Sequence, residues 1–163
     1  MVRPMFISDI TSLKEMVKKT GNFSPNEVQA AVEQMEVFVK DATQNDYELV
    51  VVEGEEAEIV GYMSFGPAAL TSGGYFLYWI AVDPRYAQLG YGTELISWLE
   101  RRVRSCAGRW LLIETSSQPS YAPARRFYQR LGYRMISRIR DYYNPGDDRV
   151  TFVKYFSKDR TND

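Results

Sequence analysis

The chain has 163 residues, with 20 Lys and Arg against 21 Asp and Glu and a formal net charge of -1. That suits one soluble domain and argues against a protein built to bind nucleic acid through a basic surface. It holds no histidine and one cysteine, Cys106, which excludes imidazole-based nucleophilic catalysis, internal disulfides and thiolate or imidazole metal sites.

The elements follow in chain order. No apolar run approaches the roughly 18 residues of a membrane span, and Met1-Val-Arg-Pro-Met-Phe6 lacks the apolar core of a leader; the expectation is one cytoplasmic domain over 1–163. Ile10, Leu13, Met16 and Val17 recur at helical spacing up to Gly21. Ser24-Pro25-Asn26-Glu27 is a capping box with proline at the first helical position, and Val28, Ala31, Val32, Met35, Phe38 and Val39 behind it mark a helix with one buried face. Residues 47–53 and 58–65 read as a hairpin across Gly54. Residues 75–82 are apolar throughout, the pattern of a central strand covered on both faces, and Asp83-Pro84 ends it. A helix over 92–105, a buried strand over 109–115, a helix over 121–131 capped by Gly132, and strands near 133–140 and 149–156 around Asn144-Pro-Gly-Asp-Asp148 complete the chain. The order is β, α, α, β, β, β, α, β, α, β, β: a mixed α/β domain.

The most informative stretch joins the strand over 75–82 to the helix that follows. There Gln88-Leu89-Gly90-Tyr91-Gly92-Thr93 opens a helix with two glycines. Glycine admits close backbone approach, and the free N–H groups of a first helical turn attract phosphate. The stretch is either a pyrophosphate cradle or a tight turn that binds nothing. A dinucleotide fingerprint is excluded because its third glycine falls on Leu95, and no Gly-Lys-Ser/Thr is present for a P-loop.

This segment resembles motif A of the GNAT superfamily of N-acetyltransferases, Arg/Gln-x-x-Gly-x-Gly/Ala. Val82 and Pro84 match the family's strand-ending Val-x-Pro, and Ala124, Phe127-Tyr128 and Leu131-Gly132-Tyr133 match its later Ala-x-x-x-Tyr-x-x-x-Gly-Phe/Tyr pattern. The best match covers about 60–135. Ala87 stands where the family usually has Arg or Gln, with Gln88 one place later, and Tyr121 stands where it often has Asn.

The resemblance implies a mostly antiparallel central sheet with a splayed parallel pair of strands, flanked by helices. It implies acetyl-CoA as cosubstrate, its pantetheine arm along Ile80, Ala81 and Val82, its pyrophosphate over Gln88, Leu89, Gly90, Tyr91, Gly92 and Thr93, and Tyr121 near the arm. A primary amine then attacks the thioester directly, in a ternary complex. Tyr128 is the candidate acid for the departing thiolate, where the reading from residues alone is core packing. Glu114, at the end of Trp110-Leu-Leu-Ile113, is the candidate base; it resembles the strand glutamate of the acetyltransferases that modify ribosomal-protein N-termini, and a solvated strand-end carboxylate or a water relay is the other reading. Tyr142 and Tyr143 lie where the family shapes its acceptor pocket, and the ribosomal-protein modifiers carry a similar pair, which tilts the acceptor towards a peptide or protein amine. Asp147 and Asp148 either attract a cationic amine or only form a turn. Arg101 and Arg125 are solvated helix-face residues or partners of the 3'-phosphate of CoA. The other functional class is a catalytically silent acyl-CoA-binding sensor or interaction module. No metal, membrane or nucleic-acid partner is expected, and a homodimer is compatible with the resemblance.

Overall fold

The computed structural model describes residues 1–21, 23–41 and 43–156, so the last seven positions of the expected 1–163 domain lie outside the described residues. By contacts the chain divides into two compact units, one formed by Met1–Gly66 with Tyr78–Leu99 and the other by Pro67–Leu77 with the chain from Glu100 onward.

In the first unit, β1 (Val2–Pro4), β2 (Glu48–Glu53) and β3 (Ile59–Pro67) form an antiparallel sheet. The second half of β4 (Gly74–Val82) runs beside β3, where the Asp83 N–H donates to the Val60 carbonyl at 2.8 Å. The backbones come so close that a Cβ on Gly61 would lie 2.8 Å from the Ala81 carbonyl oxygen. Two helices, α1 (Ile10–Lys19) and α2 (Pro25–Lys40), bury Leu13, Met16, Val17, Ala31 and Met35 in one core with Leu49, Val51 and Tyr62. Each large side chain there contributes roughly 1.5–3 kcal/mol of burial. The start of α2 forms as its residues direct: Ser24 Oγ accepts the Glu27 N–H and the Glu27 carboxylate accepts the Ser24 N–H. At the N-terminal strand Arg3 spans Asp9 and Glu53 at 2.7 Å each. The N-terminal half of α3 (Tyr91–Ser105) packs Leu95, Ile96 and Leu99 inward.

The second unit holds the other half of β4, which pairs in parallel with β5 (Trp110–Ser116) from Gly74–Trp110 to Leu77–Ile113. The ladder stops there, although β4 continues to Val82 and β5 to Ser116. On its other edge β5 pairs antiparallel along its full length with β7 (Asp147–Tyr155), and β7 pairs with β6 (Arg134–Asn144). A short helix, α4 (Ala122–Arg130), precedes β6. The strand order is β1-β2-β3-β4-β5-β7-β6, with β4–β5 the parallel pair.

Two elements depart from expectation. β4 is not covered throughout: Tyr78, the first residue beyond the parallel ladder, is 42% exposed. β6 runs on to Asn144 instead of ending near 140, leaving a loop of Pro145 and Gly146. The register slips between Ile139 and Asn144, with Asp141 at φ 52°. Asp148 holds this irregularity by accepting the Asp141 N–H, and the Asp141 carboxylate accepts the Gly146 N–H. A bulge of this kind lets a strand continue past a kink.

Candidate active site

The first unit carries the glycine turn. After β4, Asp83 caps a short 3-10 turn, Pro84–Tyr86, and its carboxylate binds the Arg85 guanidinium, which holds the carboxyl below its ordinary range. Gln88 and Gly90 both have positive φ, 65° and 95°. The Gly90 carbonyl accepts the Glu94 N–H at 2.9 Å, so Tyr91, Gly92 and Thr93 form the first turn of α3, and their N–H groups have no acceptor within the helix. Gln88, Leu89, Gly90 and Thr93 are exposed, while Tyr91 and Gly92 are half-buried. The Tyr91 ring meets Tyr86 edge-on at 6.1 Å, which fixes one side of the turn. Ala81 is buried and Ile80 and Val82 half-buried. The turn therefore offers a set of backbone donors at the positive end of a helix, the arrangement that binds phosphate.

The second unit carries Tyr128, Glu114, Tyr142 and Tyr143, and divides them between the two faces of β5. Ile113 lies opposite Phe152 and Glu114 opposite Thr151, and successive strand residues point to opposite faces. Tyr128 belongs to the Phe152 face. It is 5% exposed, with its ring 5.9 Å from Phe152 and 6.2 Å from Tyr133. A Schellman motif sets this geometry: the Tyr133 N–H donates to the Tyr128 carbonyl and the Gly132 N–H to that of Gln129, with Gly132 at φ +86°. Burial pushes both phenols well above the usual tyrosine range, and the Glu100 carboxylate adds to the effect on Tyr133. The two differ in what their hydroxyls do. That of Tyr133 donates to Glu100, which also holds Lys154, whereas that of Tyr128 makes no hydrogen bond among the described residues. Tyr121, half-buried, sits at the N-cap of α4.

On the opposite face, Glu114 pairs with Arg149 at 3.3 Å. Arg149 is two residues from Thr151 and so is the diagonal neighbour of Glu114 on β7. Its guanidinium stacks on Tyr142, 4.3 Å from the ring centroid, and Tyr142 meets Tyr143 edge-on at 5.0 Å. Burial raises the Tyr143 phenol, and the nearby Glu114 charge adds to this while Arg149 opposes it. Both tyrosines stay about half exposed. The structure thus joins Glu114, Tyr142 and Tyr143 through Arg149, and places Tyr128 in a separate cluster. Arg149 and Phe152 are residues that sequence reasoning missed, and only the β5–β7 register reveals them. Asp148 is buried and spent on the Asp141 N–H and Arg138, and Asp147 is held by Ser116; Asp148 supports the hairpin and is not open to a cationic amine. Arg125 is turned to the Ser116 and Gln118 carbonyls.

Among the described residues no group of three or more Cys, Asp or Glu side chains is placed to hold a metal ion, and no helix is long and apolar enough to cross a membrane. Residues 15–133 match the model of the acetyltransferase (GNAT) family. An N-acetyltransferase of Methanocaldococcus jannaschii, itself uncharacterised, is 32% identical over 97 residues, which span 59% of this chain and 56% of that protein. A protein from Desulfovibrio desulfuricans assigned to the same family has a solved structure that superposes with a TM-score of 0.89 at 32% identity, covering 95% of this chain and 98% of that one. The ribosomal-protein-S18-alanine N-acetyltransferase of Escherichia coli shares the fold, with a TM-score of 0.76 at 16% identity over 99% of this chain and 97% of its own.

Proposed function

Because the chain belongs to the GNAT acetyltransferase family, we propose that it moves the acetyl group of acetyl-CoA directly to a primary amine, with both substrates bound together. The observation that carries this reading is the first turn of α3, opened by Gly90 at φ +95°, with Gly90 and Thr93 exposed on either side of half-buried Tyr91 and Gly92. Its backbone donors suit the pyrophosphate of CoA. Ile80, Ala81 and Val82 receive the pantetheine arm along β4.

The reacting carbon lies at the edge of β5 beyond Ile113, where the parallel ladder has ended and groups from both faces of the strand reach it. On one face Glu114 takes a proton from the incoming ammonium, directly or through water, and the freed amine nitrogen bonds to the thioester carbonyl carbon. The adduct nitrogen gives up its second proton to water as the C–S bond breaks, and Tyr128, on the other face, gives the departing thiolate its proton and recovers one through water. The raised phenol pKa keeps that proton in place at neutral pH. A peptide or protein amine is the favoured acceptor: Tyr142 and Tyr143 present two half-exposed rings beside Glu114, a surface suited to an extended chain whose amine reaches a carboxylate.

Release of the CoA thiol from acetyl-CoA, measured across peptide N-termini, lysine-containing peptides, amino acids and polyamines, tests this. Turnover that depends on a peptide α-amine is the expected result. Turnover with polyamines or free amino acids alone overturns the peptide preference. Acetyl-CoA binding with no acceptor at all turns the protein into a silent CoA-binding module.

A further inference from the structure

A concave space of about 290 Å³ lies between α4 and the β6–β7 pair, on the Phe152 face. Three guanidiniums line it, Arg125 and Arg126 from α4 and Arg138 from β6, and among the described residues its lining holds no carboxylate. Two of the three are held in place: Arg125 Nη1 donates to the Ser116 and Gln118 carbonyls, and Arg138 Nε to Asp148. Arg126 is exposed and makes no hydrogen bond or ion pair among the described residues. Asp148 offsets one positive charge, so two remain in excess around the space. Gln129 adds an amide, while Met135 and Phe152 give an apolar floor. Guanidinium forks match carboxylate geometry in pairs, and an apolar floor suits a carbon skeleton better than a bare ion.

We propose that this cavity, lined by none of the residues Ile80–Val82, Gln88–Thr93 and Tyr128, binds a small organic polyanion, a di- or tricarboxylate of a few carbons. The volume of about 290 Å³ falls just below the range of ligand pockets, roughly 300–1,000 Å³, and suits a ligand of a few carbons. Arg125 and Arg138 form the fixed walls, and Arg126 is the arm that closes on the ligand.

The test is calorimetric titration of the whole chain with citrate against sodium chloride of equal ionic strength. Saturable one-to-one binding is expected, weaker by roughly tenfold in Arg126→Ala, the loss of one charge-assisted contact, and absent in Arg126→Glu. Both variants should melt with the wild type, since Arg126 holds no partner. No saturable binding, or an Arg126→Ala affinity within twofold of wild type, overturns the proposal. Displacement of citrate by CoA but not by 3'-dephospho-CoA also overturns it, because the cavity then takes the 3'-phosphate of CoA itself.

Discussion

Gly90→Ala isolates the contribution of the glycine turn to acetyl-CoA binding. At φ +95° an added Cβ meets no atom within 4 Å, so the substitution is penalised by backbone conformation and not by a clash. A left-handed residue other than glycine costs roughly 1–2 kcal/mol. Gly146 supplies a matched control, with φ +82° and again nothing within 4 Å of the added atom, but in the β6–β7 loop. Gly146→Ala, whose turn is tied by the Asp141 carboxylate, should lose about 1–2 kcal/mol, or about 2–8 °C in melting temperature for a chain of this size, whereas Gly90→Ala, whose turn relaxes in the free protein, should melt closer to the wild type. Their effects on the donor should differ. Where the turn relaxes in the free protein, binding must restore it, and acetyl-CoA affinity falls by about 5- to 30-fold in Gly90→Ala. Gly146→Ala should bind acetyl-CoA as the wild type does. Thermal unfolding and calorimetry on the two variants provide the comparison. Equal acetyl-CoA affinity in both would refute the claim that backbone donors at Gly90–Thr93 hold the cosubstrate.

Glu114→Gln should lower kcat by about 10²- to 10⁴-fold at pH 7; with a peptide acceptor, whose α-amine titrates near 8, the deficit should shrink by pH 9, and a deficit constant with pH would argue against proton removal by Glu114. Arg3→Ala leaves Asp9, 6% exposed, without its charge partner, and should cost about 3 kcal/mol, or about 6–12 °C, read by calorimetry. In the wild type the Asp9 carboxyl is held below its ordinary value of 3.8, Arg3 and the Phe6 N–H outweighing burial; the stability this supplies is present above about pH 4 and is lost as pH falls through the lowered value, which a urea series between pH 5 and pH 2 should show. Burial raises the phenols of Tyr62, Tyr128 and Tyr133; their contribution is complete below about pH 10, where the unfolded chain begins to ionise, and is lost above it, so the urea midpoint should fall between pH 9 and pH 11.

Local chemistry made much of the fold legible. The Ser24–Glu27 box, the glycine turn at Gly90 and the Gly132 cap each follow from a few adjacent residues, and the order of strands and helices follows from hydrophobic spacing. What escaped depends on pairing between distant strands. Tyr78 is 42% exposed one residue past the end of the parallel ladder, and no pattern within 75–82 shows where a partner stops. β6 passes residue 140 because Asp148 stabilises a bulge at Asp141 from the neighbouring strand. The candidate site divides in the same way. Tyr128, Glu114, Tyr142 and Tyr143 were legible as separate residues, but the Glu114–Arg149 pair and the division of the cluster between opposite faces of β5 require the β5–β7 register.

In the proposed reaction Tyr128 gives a proton to the departing thiolate. Tyr128→Phe keeps the ring against Phe152 and Tyr133 and removes only a hydroxyl that holds no partner among the described residues, so the variant should fold as the wild type does. The measurement is kcat for CoA release alongside the equilibrium Kd for acetyl-CoA in the same preparation. A fall in kcat of about 10²-fold or more with an unchanged Kd is the predicted result. A kcat within threefold of wild type contradicts the assignment and leaves Tyr128 as a packing residue.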